Sequence, residues 1–559
     1  MFLILPNFYG RRFGDCHLFW LSLGSGVAEQ RVSGPAKAGE DLTPTPAART
    51  SLDFRAPRHA MTSTGLLLIP LGFALLLMPW RVIIVALPSF ALLQGAAVIN
   101  VGSVGLQPGY FLALLVIART GMEIMLLKQP LNRDALTLVA PLGVFVLISV
   151  LVLWISVAFF TGKITVIGGA DAYVLENARP YMFRRENITQ ISYIVINAAL
   201  VYALAHQGAR FRPPQLVHVI DRGFTLGVLL ALFFCGWQLL AHATGIYFPT
   251  GFLFSNAGYF RADNQGFFGS LRLNGAFSEP SALAYFFSGF LLYFWKRARL
   301  QPTIPSAALV VALIGAIFLA YSTTGYFVLA IFAVIAAIDV MRPVLSRLRA
   351  PRLTWRKAAL AALLLLAAGG ATTWVLHNRN HLARILDVSL VDKSKSQSFA
   401  ARTGAEAMAL DVIARTGGIG IGLGSHKPNS LTLTLLSNVG VVGTGVFLLF
   451  VLTLLRPAGA PSGAGRRAMS FDETPLRYLL IGMLFVHAIS NPNFNVVLMW
   501  TACGLLAGYH ACVRGLAARP ARSAPVATDW AETPPCAPAL DGPRRVLLPP
   551  RSPGPSGAD

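Results

Sequence analysis

The chain has 559 residues, 46 Lys and Arg against 24 Asp and Glu, and a net charge of +22, yet only 13% of it is charged and 55% is hydrophobic. With a mean hydropathy of +0.61, this composition excludes a soluble globular protein of such length, and the lack of strand alternation excludes an outer-membrane barrel. The remaining class is an all-α polytopic membrane protein, because lipid leaves unpaired backbone without partners and a hydrocarbon core about 30 Å thick takes roughly 20 apolar residues in helical form. The excess charge sits mainly in short connections and the C-terminal tail, where it directs topology, so no nucleic-acid partner is read from it.

Residues 1–60 begin with MFLILPNFYGRRFGDCHLFWLSLG, whose arginines fall amid its apolar residues rather than before them, and continue as a Pro/Ala/Arg-rich linker. This segment reads as an N-terminal extension, either disordered or upstream of a true start at Met61. Apolar runs then predict about twelve or thirteen spans. They fall at 65–79, 82–100, 109–127, 135–160, 190–206, 223–245, 276–295, 306–321, 326–341, 358–376, 430–455, 477–490 and 495–512. An alternative for 65–100 is one broken hairpin that does not cross twice. Residues 513–559, rich in Pro, Ala and Arg, read as a disordered cytoplasmic tail.

Orientation follows from cationic loops, which resist translocation. Three of them are KRAR at 296–299, the run from Arg342 to Lys357, and the segment from Arg456 to Arg477. With these in the cytoplasm, the loops at 161–189, 246–275 and 377–429 lie on the far face, which is periplasmic in a bacterial inner membrane. None of the five cysteines falls in these loops, so neither a disulfide framework nor a thiolate metal site is implied.

The first outer loop carries NARPYMFRREN, with Arg179, Arg184 and Arg185 against Glu176 and Glu186, a pattern that suits interfacial snorkelling and ion pairing. In the second, RADNQGFFGSLRLNGAFSEPS, Arg272 precedes Glu279 by seven residues, Pro280 suits a helix start and Ser278 can cap it. A carboxylate at the entrance of a membrane helix needs a partner or a role, and either an Arg272–Glu279 pair or a functional site would meet that need.

The third loop places Ala401, Ala405, Met408 and Val412 on one helical stripe, with Arg402–Glu406 and Asp411–Arg415 at pairing distance along it. It predicts an amphipathic helix on the outer surface, before the third-last span. The run GGIGIGLGSHKPNS follows, in which Gly417, Gly418, Gly420, Gly422 and Gly424 would let backbone approach a ligand closely. No GKS or GKT follows, which excludes a nucleotide P-loop. Arg402, Arg415, His426 and Lys427 thus gather cations outside the bilayer, as a phosphate-bearing substrate would require. No Asp/His cluster has metal-ligand spacing, so the expected chemistry uses neither metal nor cofactor. Asn187-Ile-Thr189 matches a glycosylation acceptor, Gly440, Gly443 and Gly445 suit close helix packing, and His487 and Arg119 lie within or beside spans.

The order of these features resembles the O-antigen polymerase and O-antigen ligase superfamily. A basic outer loop is followed by R-x-x-G-x-F-S-E-P-S opening a helix, by the Ser322-Thr323-Thr324 turn, and by R-T-G with the glycine run ending in Ser425-His426 before a span containing NVGVVGTG. The resemblance covers roughly 65–512 as architecture, with sequence detail at 272–281 and 402–446. It departs from ligases in that Lys427, Pro428 and Asn429 follow His426, and from some polymerases in lacking R-x10-G repeats, since Ile413 stands eleven residues after Arg402. Polymerase and ligase both stay open.

The resemblance implies a GT-C type membrane glycosyltransferase over 61–512, with an undecaprenyl-diphosphate-linked glycan as partner in the membrane lipid and chain-length regulator and flippase proteins as companions. It implies that repeat units are joined into an exopolysaccharide or O-antigen at the periplasmic face. On that basis Arg272 and Arg402 are expected to hold the diphosphate, with Arg184, Arg185, Arg415 and Lys427 as auxiliaries, and either His426 or Glu279 to act as base. The alternatives are a ligase that moves a finished glycan to a lipid or protein acceptor, and a flippase, which would carry its cations within the spans.

Overall fold

The computed structural model describes residues 59–102, 104–168, 178–259, 266–267, 270–346, 369, 373, 397–458, 472–490 and 494–517. The extension before residue 59, most of the span expected at 358–376, Glu176, the loop at 377–396, the turn at 491–493 and the tail beyond 517 lie outside the described residues.

Short strands and helices open the described chain: β1 (His59–Met61), α1 (Ser63–Leu77), α2 (Trp80–Leu92), β2 (Ile99–Val101) and β3 (Val104–Leu106). There follow α3 (Pro108–Leu126), α4 (Arg133–Phe160), β4 (Thr165–Val166), β5 (Arg179–Pro180), α5 (Arg185–Gly208), α6 (Pro213–Thr244) and α7 (Thr250–Leu253). The remainder comprises β6 (Gly266–Phe267), β7 (Ser270–Leu271), α8 (Pro280–Leu300), α9 (Ile304–Leu319), α10 (Thr323–Ser346), α11 (Gln397–Arg415), α12 (Leu431–Leu455), α13 (Thr474–Ile489) and α14 (Val497–Ala517). All strand pairings are antiparallel, β1–β2–β3 in one small sheet and β4–β5 and β6–β7 as two-stranded pairs.

Among the described residues six helices, α3, α4, α5, α6, α10 and α12, are long and apolar enough to cross a membrane, and α1, α2, α9 and α13 are shorter apolar helices. The chain is a multi-pass helical membrane protein. Its packing matches that solvent: Leu147, Trp154, Phe159 and Val442 are exposed, as they must be where lipid replaces water. The core is built around α8, where Tyr285, Phe286, Phe287, Phe290, Phe294 and Trp295 are all buried. A helix apolar on every face belongs in the middle, and α8 packs against α9, α10 and α13 while α14 packs on α5 and α12 on α4.

One expected span is shorter than its hydropathy suggested. The run 82–100 leaves helix at Leu92, and beyond it β2 and β3 pair antiparallel. Polar groups decide this. Asn100 donates from Nδ2 to the Ser255 carbonyl at 2.9 Å, the Ala97 amide donates to Ser255 Oγ at 3.1 Å, and the Thr62 hydroxyl donates to the Ala97 carbonyl. Gly65 lies so close to Val98 that a Cβ would sit 1.9 Å from its carbonyl oxygen. At 1.5 Å per residue, α1 and α2, of 15 and 13 residues, reach only about 22 and 20 Å, short of a 30 Å core.

Helix direction defines two ends of the bundle. The start of α8 lies at the same end as the end of α4, the start of α5 and the loop before α12. The end of α8 lies at the opposite one, beside the starts of α6, α9 and α13.

Candidate functional site

The segment from Leu271 to Glu279 is clamped before it enters α8. Gln238, inside α6, accepts from the amides of Asn274 at 3.0 Å and Gly275 at 2.7 Å through one side-chain oxygen. The Leu273 amide donates to the Leu319 carbonyl at 3.0 Å, and Asn274 Nδ2 donates to the Phe277 carbonyl at 2.7 Å. Gly275, at φ 56°, sits where a Cβ would meet Cys235 Sγ at 2.8 Å. A side-chain amide inside an apolar helix is costly unless satisfied, and here it fixes the chain that carries Arg272 and Glu279.

Glu279 takes the N-cap position of α8 without a side-chain capping bond, so its carboxylate is turned to other partners. The Ser281 hydroxyl donates to one carboxylate oxygen. Ser278, expected to cap the helix, is hydrogen-bonded to Tyr259 instead, whose hydroxyl also lies 3.1 Å from Gln94 Oε1. Burial pushes the Arg272 guanidinium below its ordinary value, and the nearby Glu279 carboxylate opposes that shift. Burial likewise lowers the Lys427 ammonium, again opposed by Glu279. Two cations from distant parts of the chain therefore face one half-exposed carboxylate.

Lys427 reaches this point through the glycine-rich loop. Gly417, Gly418, Gly420, Gly422 and Gly424 all have positive φ, the region that favours glycine. Three of them approach protein closely: a Cβ on Gly420 would meet the Gly440 amide at 2.7 Å, one on Gly422 the Leu153 side chain at 2.5 Å, and one on Gly424 the Glu186 carbonyl at 2.6 Å, while one on Gly417 would meet nothing within 4 Å. Leu153 lies seven residues before the end of α4, about 10 Å deep along the helix, so the loop dips into the bundle. Irregular backbone at that depth must be satisfied by protein. The amides of Ile421 and Gly422 donate to the carbonyls of Ser437 (3.0 Å) and Asn438 (2.7 Å), and Val441 donates back to Gly418 at 2.9 Å. These bonds exist because α12 breaks at Gly440 (φ 72°, ψ −175°), freeing carbonyls that a regular helix would keep.

Asn438 completes the clamp. Its Oδ1 accepts from the amides of Ser425 (3.2 Å) and His426 (3.1 Å), and its Nδ2 donates to the His426 carbonyl at 2.8 Å. Asn187, the apparent glycosylation acceptor, is fully buried and donates to the Leu423 carbonyl at 2.8 Å and Ser425 Oγ at 2.7 Å.

His426 is buried with both ring nitrogens engaged. The Ile167 amide donates to Nδ1 at 3.2 Å, and Nε2 lies 3.0 Å from the Ala405 carbonyl, to which it donates. Burial lowers its pKa, partly offset by the carbonyls of Ala405 and of Ile167, the latter 3.1 Å from Nδ1. The ring ties α11 to the loop beside β4, and no ring nitrogen points away from protein backbone. Arg402 lies one turn before Ala405 on the same stripe of α11, and its Nε is buried with no hydrogen-bond partner among the described residues. Burial raises the Glu406 carboxyl, and Arg402 opposes the shift. The apolar stripe itself is buried at Ala405, Ala409 and Val412.

Arg415 is exposed and pairs with Asp411 at 2.8 Å on the surface of α11. Arg185 is exposed at the start of α5, and Arg184 is half-buried at its N-cap, where its amide donates to Asn187 Oδ1 at 2.9 Å. Arg119 is a structural group at the opposite end, paired with Glu123 at 3.0 Å and stacked over Trp80 at 4.7 Å. His487 is buried in edge-to-face contact with Tyr285 at 4.5 Å. The residues overlooked in the sequence, Gln238, Asn274, Asn438 and Tyr259, shared one signal: polar groups in or beside apolar runs.

Fold and site together define a polytopic helical membrane protein with a cation-lined, carboxylate-centred site at one end of its bundle. Compared with known proteins, the chain matches no family model and no curated sequence.

Proposed function

We propose that the chain is a membrane glycosyltransferase that joins polyprenyl-diphosphate-linked oligosaccharide units, undecaprenyl diphosphate being the bacterial carrier, at the periplasmic face of the inner membrane. The observation that carries this reading is the approach of Arg272 and Lys427, 155 residues apart in sequence, to the Glu279 carboxylate at the entrance of α8.

In this reading the Arg272 guanidinium holds diphosphate oxygens through its planar fork, and the Lys427 ammonium meets the charge that grows on the leaving group. Charge fixed in advance at such a position is commonly a large part of catalysis. Glu279, oriented by Ser281, takes the proton from the acceptor hydroxyl as its oxygen bonds the anomeric carbon and the bond from that carbon to the diphosphate breaks. His426 supports the reaction by holding α11 and the loop together. A periplasmic site end is supported by the positive-inside trend, since Lys296, Arg297 and Arg299 lie at the far end of α8.

The test uses protein reconstituted in nanodiscs with a defined polyprenyl-diphosphate oligosaccharide. Free polyprenyl diphosphate and a lengthened lipid-linked chain are the expected products. Glycan appearing on a different acceptor would assign a ligase instead. Translocation of the lipid with no covalent product would overturn the enzyme reading.

A further inference from the structure

The end of the bundle opposite the site holds a cavity of about 680 Å³ between α6, α8, α9 and α13. Its apolar wall includes Leu226 and Leu229 of α6, 48% and 50% exposed, so it opens sideways where α6 faces lipid. Helix α6 has 32 residues, about 48 Å at 1.5 Å each, and so exceeds a 30 Å hydrocarbon core. Its first turns must emerge into the headgroup layer. The lining runs along α6 from Val217 to Leu229, about 18 Å of helix, from headgroup depth into hydrocarbon. This is the vertical extent of a lipid head and upper chain.

Among the described residues the lining carries Asp221, Asp472 and Glu473 against Arg222 and Arg297, with His218 beside them, and Arg477 behind Glu473 completes the balance. Asp221 pairs with Arg297 at 2.5 Å and accepts from the Tyr293 hydroxyl at 3.2 Å. Glu473 pairs with Arg477 at 3.5 Å and accepts from the Ala458 amide at 3.2 Å. Setting these two internal pairs aside leaves, among the described lining residues and beside His218, Arg222, exposed on α6, and Asp472, at the start of α13, as charges of opposite sign; one Asp472 oxygen also accepts from the Thr474 amide and hydroxyl. An anionic headgroup would meet one cation and one carboxylate; a zwitterion meets a partner for each of its charges.

We propose that this cavity binds a zwitterionic phospholipid, its phosphate toward Arg222, its amine toward Asp472 and its acyl chains along Leu226 and Leu229. The site is separate from the one at Glu279, and the assignment holds whether or not the chain transfers glycans.

The experiment counts retained lipids. Full-length protein is equilibrated in nanodiscs with equal amounts of phosphatidylethanolamine and phosphatidylglycerol, extracted, and examined by native mass spectrometry, with phosphatidylcholine replacing phosphatidylethanolamine in a second arm. One phosphatidylethanolamine per chain is expected, favoured over phosphatidylglycerol by about fivefold or more, with phosphatidylcholine retained as well if the charge pair alone decides. Leu229→Trp should fill the opening and remove the retained lipid. Arg222→Glu, on an exposed position that leaves the fold intact, should abolish the preference. Equal retention of phosphatidylglycerol, retention unchanged in both variants, or displacement by soluble phosphoethanolamine would overturn the proposal.

Discussion

Replacing Gly440 by alanine tests whether the glycine-rich loop is a structural clamp. At φ 72° and ψ −175° the residue occupies a region closed to most side chains, which costs about 1–3 kcal/mol. A Cβ there would lie 2.2 Å from the Ile419 carbonyl oxygen and 2.4 Å from that of Gly418. The nearer approach is about 0.8 Å inside the 3.0 Å that real Cβ atoms keep, so the loop backbone must withdraw, stretching the Val441–Gly418 bond. Overpacking of this kind adds about 1–3 kcal/mol. The sum, about 2–6 kcal/mol, rivals a typical net stability of about 5–15 kcal/mol. Gly445 on the same helix is the control, since a Cβ there meets nothing within 4 Å and helix propensity gains about 1 kcal/mol. Thermal unfolding and limited proteolysis in detergent should show Gly440→Ala melting lower and cut within 416–430, with Gly445→Ala unchanged or more stable. Equal stability of the two variants would refute the clamp.

Further outcomes follow from the same geometry. Glu279→Gln should lower transfer by about 100-fold or more if the carboxylate is the base. Because Glu279 opposes the burial that lowers Lys427, this change should also move the alkaline fall in diphosphate-lipid binding to lower pH; an unmoved limb would separate Lys427 from the site. His426→Gln should lower the melting temperature yet leave the acid limb of the pH–rate profile in place, and a shifted limb would return the base role to His426. The folded pKa of His426 is lowered, so below its unfolded value, about 6.5, the unfolded chain binds more protons. That contribution to stability is present above this pH and is lost as pH falls toward the folded value, a dependence that melting curves should show and that His426→Gln should remove. Arg415→Ala should change stability by no more than about 0.5 kcal/mol, as expected of an exposed i,i+4 pair, with transfer near normal. Arg402→Ala should cost transfer far more, measured under identical conditions.

The sequence by itself determined the class and most of the helices. Long apolar runs in a chain with 13% charged residues have no stable alternative to spanning lipid, and the helical stripe through Ala405 and Val412 announced α11, because both signals are local and periodic. Arg272 and Glu279 could be singled out because ionised groups beside a membrane helix are costly. Tertiary structure decided which of the marked residues meet. It packed Gly420, Gly422 and Gly424 against Gly440, Leu153 and Glu186, closed His426 between Ile167 and Ala405, and brought Lys427 to Glu279. It also halted α2 at Leu92, where partners at Ser255 offered the polar backbone an alternative to helix. Those outcomes depend on contacts between residues far apart in the chain, and no local period encodes a partner that only folding supplies.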